Sequence, residues 1–140
     1  MATVFTKIIQ GELPGRFVWR DDRCVAFLSI NPLRHGHALV VPHVEVDHWL
    51  DVDPDLNAHL LGVGQRIGQA QMAAFSPTRV GLLIAGMEVP HVHLHVVPID
   101  SERDLDFANA AREVDPAAMD EARDAIVGAL RQAGHDPGDV

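Results

Sequence analysis

The sequence predicts an α+β domain on a five-stranded antiparallel sheet, with one long helix and a C-terminal helix. Short apolar segments bounded by Gly, Pro and Asp are typical of strands. They are interrupted by a single long segment of helical spacing, so the regular strand–helix alternation of a parallel sheet is missing. With 140 residues, 47% of them apolar, the chain has the size and the core of one domain.

The N-terminal third predicts a short helix followed by three strands. Apolar residues between Val4 and Ile9 have the three-to-four spacing of an amphipathic helical turn. Gly11–Gly15 is expected to be a turn because it contains two glycines and a proline. Asp21–Arg23 predicts the turn of a hairpin. The strands are expected at Arg16–Arg20, Cys24–Ser29 and His37–Val41.

The rest of the chain predicts a long helix, two further strands and a last helix. Asp53 fits an N-cap followed by proline at the first helical position, and the apolar spacing continues to about Phe75. The expected strands are Val80–Ala85 and His91–Val97, and the last helix is Pro116–Gly134. We predict one domain over residues 1–134 and a flexible acidic tail over residues 135–140.

Composition excludes several classes of function. The net charge of −9 argues against a nucleic-acid partner, which requires a basic face. No apolar run approaches the roughly 18 residues of a membrane span, so we expect no membrane partner. The first ten residues do not predict a signal peptide, and a single cysteine fits a reducing compartment. We therefore expect a cytoplasmic protein.

The most informative stretch runs from Pro90 to Pro98, where three histidines alternate with apolar residues. Alternation of this kind predicts a half-buried strand. Its histidines would share one face, with roughly 7 Å between alternate residues, and the apolar residues would share the other. The three histidines are His91, His93 and His95, and the apolar residues between and after them are Val92, Leu94 and Val96.

Four interpretations compete for this row of imidazoles. It could be a polar sheet face, a metal site, a face that binds an anion, or a centre for nucleophilic catalysis at phosphorus. Three of the nine histidines in one register make the first a minority interpretation. A fixed metal site needs further ligands, and Cys24 is the only cysteine. We favour the fourth, in which a neutral imidazole attacks a phosphoryl group and its neighbours orient it.

The nucleophile must be unprotonated to attack. An ordinary imidazole has a pKa of about 6.5, so a useful neutral fraction exists at pH 7. Flanking imidazoles raise the cost of a second positive charge and so help to keep His93 neutral. Because the site supplies its own hydrogen-bond donors, we expect no cofactor and no catalytic metal.

At these residues the chain resembles the histidine triad (HIT) superfamily, and it is most like the Hint-like nucleotide hydrolase branch. The triad pattern is carried by His91–Val97. Two further segments in the right order are similar to the family: Lys7–Phe27, with Gly11–Pro14 and Asp21–Cys24 inside it, and Asn31–Pro42, with Gly36-His37 before an apolar strand.

The resemblance implies a homodimer with its sheet continued across the two subunits, and a nucleoside monophosphate-type ligand over the histidine strand. It implies that His93 is the nucleophile, flanked by His91 and His95, with His37 nearby. It also implies a nucleoside pocket, although ordinary core is an equal alternative for each of its residues. The pocket residues are Val4, Phe5, Ile8, Phe27, Ile30 and Leu39.

The implied activity is hydrolysis of, or nucleotidyl transfer from, a nucleoside phosphoramidate or a related 5′-phosphate derivative. Hydrolysis of dinucleoside polyphosphates and nucleotide binding with little catalysis are the alternatives. Nucleotide binding with little catalysis is supported by three residues that differ from the family pattern. Ser29 replaces a common Asp at the ribose, and Met87 and Glu88 replace the residues before the triad that usually contact phosphate. We expect all three in the substrate site.

Some relatives bind a structural zinc through two N-terminal cysteines and a histidine. Thr3 and Thr6 occupy the cysteine positions here, and Glu45 lies near the histidine position. We therefore predict no structural zinc. In the loop before His37, Arg34 and His35 are weaker candidates for phosphate contacts.

Overall fold

Five antiparallel strands form one sheet in the computed structural model, which describes residues 1–140. The order across the sheet is β1-β2-β3-β5-β4, and every neighbouring pair is antiparallel. The α+β class and the five-stranded antiparallel sheet are confirmed. The strands are β1 (Phe17–Arg20), β2 (Cys24–Leu28), β3 (Ala38–Pro42), β4 (Arg79–Leu83) and β5 (Leu94–Ile99).

Three helices accompany the sheet: α1 (Val4–Ile9), α2 (Pro54–Phe75) and α3 (Pro116–Gln132). Asp53 caps α2 by accepting a hydrogen bond from the N–H of Asp55, as its position before a proline predicts. Short 3₁₀ turns lie at Trp49–Asp51, Glu102–Leu105 and Phe107–Asn109. The last two belong to the segment between β5 and α3, where the sequence predicts no regular structure.

The alternation of side chains along β2 and β3 gives the sheet two buried faces. Ala26 and Val40 belong to the larger core, which α2 and α3 cover. Phe27 and Leu39 belong to a smaller cluster on the opposite face, where Phe5 of α1 joins them. His95 pairs with Leu39 across the β3–β5 ladder, so the sheet places it on the face of the smaller cluster.

The histidine strand is shorter than predicted. β5 begins at Leu94, so His91 and His93 precede it. The N–H of His91 donates to the carbonyl of Val89 over 2.8 Å, and the N–H of Val92 donates to the carbonyl of Val46 over 2.7 Å. The backbone before Leu94 therefore bonds to its own turn and to a loop. The prediction of a strand over His91–Val97 is wrong for its first three residues.

The C-terminal tail contacts the opposite end of the sheet. The carbonyl of Pro137 accepts a hydrogen bond of 2.7 Å from the N–H of Arg20, and Pro137 is buried. These contacts cover the edge of β1, while β4 forms the other edge. Flexibility of residues 135–140 stays a prediction, as does continuation of the sheet across a dimer. None of the helices has the length and apolarity needed to cross a membrane.

Candidate active site

Four histidines and two phenylalanines form one connected, branched set of rings, the ring row, in which three of the rings contact His95. The ring centroids of His93 and His95 are 4.9 Å apart, and those of His37 and His95 are 5.1 Å apart. Phe5 of α1 lies 4.9 Å from His93 and 5.8 Å from His91. Phe107 lies 5.0 Å from His95. The predicted grouping of His91, His93, His95 and His37 is therefore what the structure contains.

The prediction of a half-buried strand is wrong for the histidine face, which is also buried. His91 is 0% exposed, His93 7% and His95 8%, because Phe5 and Phe107 cover the rings that an isolated strand would present to solvent. The reactive edges nevertheless reach the surface. Gln71 Oε1 is the one buried side-chain oxygen or nitrogen without a hydrogen-bond partner. The unpartnered Nε2 atoms of His93 and His95 are therefore accessible.

The backbone fixes the tautomer of His93. Its Nδ1 lies 2.8 Å from the carbonyl oxygen of His91. A carbonyl only accepts, so Nδ1 carries the proton and donates it. In the neutral ring Nε2 then keeps its lone pair, which is the form that a nucleophile needs. The contact joins a side chain to the backbone two residues earlier, so it follows from the local turn before β5.

A second chain of hydrogen bonds fixes the tautomers of His37 and His95. The N–H of Leu33 donates to Nδ1 of His37 over 3.0 Å. The proton of neutral His37 is therefore on Nε2, which lies 2.9 Å from Nδ1 of His95 and donates to it. This leaves the proton of neutral His95 on its accessible Nε2. His93 thus presents a lone pair beside an N–H donor on His95.

His91 has both ring nitrogens occupied within the protein. Its Nε2–H donates to the carbonyl of Pro42 over 2.7 Å, and its Nδ1 accepts from the hydroxyl of Thr3 over 2.7 Å. Glu45 accepts hydrogen bonds from the N–H of Thr3 and the hydroxyl of Thr6. His91 is therefore placed to support the turn before β5 and to anchor the start of α1. Its phosphate contact stays a prediction.

These same residues test the zinc site that some relatives contain. A structural zinc takes thiolate and imidazole ligands. Thr3, Thr6, Glu45 and His91 instead offer two hydroxyls, one carboxylate and one imidazole, and they are hydrogen-bonded to one another. This donor set does not fit a structural zinc. The absence of zinc stays a prediction, which elemental analysis of the purified protein can test.

Burial keeps the histidines neutral. It lowers the pKa of His37 to about 3, with the nearby His95 and His93 adding to the effect, and it lowers the pKa of His95 to about 4. Burial also lowers the pKa of His93, against a smaller opposing effect of its hydrogen bond to His91. All three rings are therefore neutral at pH 7, as nucleophilic attack by His93 requires.

The residues predicted to line the nucleoside pocket divide into two groups. Phe5, Phe27 and Leu39 are buried in the smaller cluster, and Ile8 packs against it. Val4 and Ile30 are exposed. The structure brings the first group to the histidines through Phe5, which touches both His91 and Phe27. A nucleoside-binding role for all six stays a prediction.

The three residues that differ from the family pattern, Ser29, Met87 and Glu88, lie near the surface. Ser29 is half-buried, and its hydroxyl accepts from the N–H of Asn31 over 3.2 Å. Met87 and Glu88 are exposed. The negative charge of Glu88 acts to raise the pKa of His93, although burial outweighs it. Their contacts with substrate stay predictions.

Arg34 is committed to another role. Its guanidinium bonds to Asp100 over 2.9 Å and also to Asp104, and both carboxylates lie in the segment after β5. These ion pairs engage the guanidinium nitrogens that would otherwise bind a phosphate. Arg34 is thus an anchor for the segment that carries Phe107.

Gln71 and Phe107 belong to the site although sequence reasoning does not identify them. The amide nitrogen of Gln71 in α2 donates to the carbonyls of Gly36 and Val96, each over 2.9 Å. It therefore ties together the backbone beside His37 and the backbone beside His95. A glutamine among alternating small and polar helix residues carries no signal for this, and neither does one phenylalanine in an irregular segment.

A second cluster of polar groups lies at the hairpin between β1 and β2. Asp21, Cys24 and His59 each place a potential metal ligand atom within 4.8 Å of the others. The carboxylate of Asp21 already accepts from the indole N–H of Trp19 over 2.8 Å and from His59 over 2.7 Å. Burial raises the pKa of the Cys24 thiol far above its usual range. The three side chains of this cluster therefore stabilise the hairpin by hydrogen bonding, and the thiol is unreactive.

Comparisons with known proteins agree on one family. The family model described as "HIT domain" matches residues 10–102. An uncharacterized HIT-like protein of Borreliella burgdorferi is 40% identical over 102 residues, which cover 68% of this chain and 73% of that protein. "Adenylylsulfatase HINT3" of Arabidopsis thaliana is 30% identical over 134 residues, covering 92% of this chain and 68% of that protein.

Solved structures extend the likeness to nearly the whole chain. A Zn-bound histidine triad family protein from Mycobacterium smegmatis superposes with a TM-score of 0.82 at 28% identity, covering 96% of each chain. A hypothetical histidine triad nucleotide-binding protein from Sulfolobus tokodaii strain7 gives a TM-score of 0.82 at 26% identity, again over 96% of each chain. The C-terminal helix is thus within the range of the structural likeness.

Proposed function

The chain belongs to the HIT family, since the family model covers residues 10–102. We propose that it is a nucleotide-binding hydrolase or nucleotidyl transferase. Its substrate is a nucleoside phosphoramidate or a related nucleoside 5′-phosphate derivative, and the reaction passes through a covalent nucleotidyl-His93 intermediate. The observation that carries the proposal is the hydrogen bond from His93 Nδ1 to the carbonyl of His91, which leaves an accessible lone pair on Nε2.

The proposed reaction has two steps, formation of the nucleotidyl-His93 intermediate and its hydrolysis. The Nε2 lone pair of His93 attacks phosphorus, forming a P–N bond to the imidazole and breaking the P–N bond to the substrate's amine. The amine leaves with its bonding electrons and takes up a proton from solvent. Water then attacks phosphorus, gives up a proton to solvent and forms nucleoside monophosphate, while the electron pair of the imidazole–phosphorus bond returns to Nε2. No cofactor takes part in either step.

His95 and His37 support the attack on phosphorus. Nε2–H of His95 is an accessible donor beside the reacting nitrogen, since the ring centroids of His93 and His95 are 4.9 Å apart. A donor placed there stabilises the charge that grows on the phosphoryl oxygens. His37 holds this donor in place by occupying Nδ1 of His95. His37 is therefore a positioning residue.

The Arabidopsis relative is named an adenylylsulfatase, which supports a second candidate substrate class, nucleoside 5′-phosphosulfates. Dinucleoside polyphosphates form a third class. All three carry a nucleoside 5′-phosphoryl group that the same histidine can accept, and they differ in the leaving group. A nucleotide-binding role with little catalysis is the remaining alternative, supported by Ser29, Met87 and Glu88.

The experiment compares turnover of three adenosine substrates: a phosphoramidate, adenylylsulfate and a dinucleoside polyphosphate. We expect the highest kcat/KM on the phosphoramidate and no turnover by His93→Ala. His43→Ala is the control, since His43 is exposed and outside the ring row. Nucleotide binding without product from any substrate would contradict the proposal and favour the binding role. Undiminished turnover by His93→Ala would remove His93 from the mechanism.

We also propose that the protein is a cytoplasmic homodimer. The proposal is supported by the edge position of β4 and by Leu82 on it, which is exposed. An uncovered edge strand offers N–H and C=O groups to a second copy. Sedimentation at micromolar concentration should give the mass of two chains, and a monomer at that concentration would contradict the dimer.

A further inference from the structure

Gln71 is the one residue with a polar side chain among those that α2 buries. It is 0% exposed, and each hydrogen of its amide nitrogen is donated to a backbone carbonyl. The acceptors are the carbonyl oxygens of Gly36 and Val96, each over 2.9 Å. Since both partners only accept, the nitrogen must face them, and the orientation of the amide is fixed.

The oxygen of the same amide is the one buried side-chain oxygen or nitrogen without a hydrogen-bond partner. Burying a polar atom in this state lowers stability. An apolar side chain at this position would contribute no unpaired atom of its own, but it would supply no donor hydrogens. The feature that sets Gln71 apart is therefore its pair of donors, and the two acceptors show what the donors hold.

Both acceptors adjoin histidines of the candidate site in the chain. Gly36 immediately precedes His37, and Val96 immediately follows His95. The rings of these two histidines share the hydrogen bond of 2.9 Å that sets the tautomer of His95. One amide of Gln71 therefore fixes the separation of the two backbone stretches that carry this ring pair.

The sheet alone does not hold His37 against β5. The pairing of β3 with β5 begins at Ala38, so His37 lies in the loop before the ladder. The backbone N–H of His37 donates to the carbonyl of Arg34 over 3.1 Å, and its carbonyl accepts from the N–H of Ser29 over 3.0 Å. Neither bond reaches β5. Apart from the contact between the rings, the hydrogen-bonded link from this loop to β5 is Gln71.

A second contact from the same face of α2 supports the loop. Phe75 lies one helical turn after Gln71 and packs directly on Gly36, where an added Cβ would lie 2.4 Å from Cε2 of Phe75. Gly36 also has a φ of +87°, which favours glycine. The ring of Phe75 meets that of His35 at 5.2 Å. The loop therefore rests on α2 and is tied through it to β5.

We propose that Gln71 is a positioning residue that keeps Nε2–H of His37 on Nδ1 of His95, and so keeps the proton of neutral His95 on Nε2. This rests on the proposed function, in which that proton stabilises charge on the phosphoryl oxygens. Gln71 is buried and touches no substrate. The phosphoryl group is present in both steps, so Gln71 should affect both formation and hydrolysis of nucleotidyl-His93.

The test measures kcat and KM of Gln71→Leu on an adenosine 5′-phosphoramidate. We expect kcat to fall about 10- to 100-fold, the size of the effect when a reacting group is misplaced by about 1 Å, with KM nearly unchanged. Gln71→Met is a second variant without donors, in case Gln71→Leu does not fold. Gln69→Leu is the matched control, because Gln69 lies on the exposed side of α2 and should keep full activity.

NMR of the ¹⁵N-labelled histidine rings reads the tautomers without substrate. We expect one tautomer of His95 in the unmodified protein and a mixture in Gln71→Leu. The tautomer of His93 should not change, because the carbonyl of His91 sets it. In the unmodified protein, the amide hydrogens of Gln71 should exchange with D₂O far more slowly than those of exposed Gln69.

A double-mutant cycle separates positioning from a general structural role. If Gln71 acts through the contact between His37 and His95, Gln71→Leu should lower kcat no further in a His37→Leu background. An equal fold-loss in both backgrounds would overturn the proposal. So would unchanged kcat in folded Gln71→Leu, a single His95 tautomer in that variant, or rapid exchange of the Gln71 amide. Absence of turnover by the unmodified protein would instead contradict the proposed function, and the NMR measurements would still test Gln71.

Discussion

His37 donates a hydrogen bond from Nε2 to Nδ1 of His95 over 2.9 Å. The direction is set by Leu33, whose N–H occupies the other nitrogen of His37. One backbone N–H thereby determines the tautomers of two imidazoles in succession. Its consequence is that neutral His95 must carry its proton on Nε2, next to His93.

Replacing His37 by leucine should lower kcat by about 10²-fold, because His95 loses the contact that fixes its donor. KM should change little, since His37 does not touch substrate. The variant leaves the buried N–H of Leu33 unpaired, so we also expect a loss of about 1–3 kcal/mol in unfolding free energy. His37→Gln keeps an acceptor for that N–H and a donor toward Nδ1 of His95, so it should recover much of the stability and the activity. Unchanged kcat in folded His37→Leu would contradict the positioning role.

The pH dependence of activity should reflect the lowered pKa values of the buried histidines. His95 titrates at about 4 and His93 below its usual range, because burial disfavours the charged rings. The acid limb of kcat/KM should therefore lie below pH 6.5, and activity should fall less between pH 7 and pH 6 than it would for an ordinary imidazole. A half-maximal rate at or above pH 6.5 would show that the essential imidazole is not shielded as the structure describes.

Stability should fall as the pH is lowered, for the same reason. The pKa values of His37 and His95 in the folded protein, about 3 and about 4, lie below the ordinary 6.5. The unfolded chain therefore takes up protons first. The stabilisation is complete above pH 6.5 and is lost as the pH falls toward the folded values, by about 2 kcal/mol per histidine at pH 5. Urea unfolding at pH 7.5 and pH 5 measures the difference, and His95→Gln should make it smaller. Equal stability at the two pH values would contradict the burial of neutral rings.

Asp21→Asn should destabilise the protein by about 1–3 kcal/mol, because the carboxylate accepts hydrogen bonds from three side chains and from two backbone N–H groups of the hairpin. Burial alone would raise the pKa of Asp21, yet the hydrogen bonds, first that of Trp19, lower it to about 2. This stabilisation is present above the ordinary pKa of 3.8 and is lost as the pH falls toward 2. Asp22→Asn is the control, since Asp22 is exposed. Equal denaturation midpoints for the two variants would show that the hydrogen bonds of Asp21 do not stabilise the protein.

The fold could be predicted from the sequence because its signals are local. The proline after Asp53 and the apolar spacing that follows locate the start and the end of α2. The beginning of β5 could not be predicted, since the backbone of His91 and Val92 pairs with Val89 and Val46. Alternation of side chains continues through such a stretch even where no neighbouring strand is present.

The sequence predicts which histidines come together in the site. It predicts less well which aromatic side chains cover them. The triad spacing identifies His93 and its neighbours, and the segment before β3 identifies His37. Phe107 could not be identified, because its place over His95 depends on ion pairs between Arg34 and acids that follow it by 66 and 70 residues. Contacts over such separations leave no periodic pattern in the sequence.

Mass spectrometry of protein quenched during turnover of an adenosine 5′-phosphoramidate tests the central claim most directly. The account predicts one adenylyl group on the peptide that contains His93, which disappears as substrate is exhausted and is absent from His93→Ala. An adduct on a different residue, or turnover by His93→Ala at the unmodified rate, would contradict it.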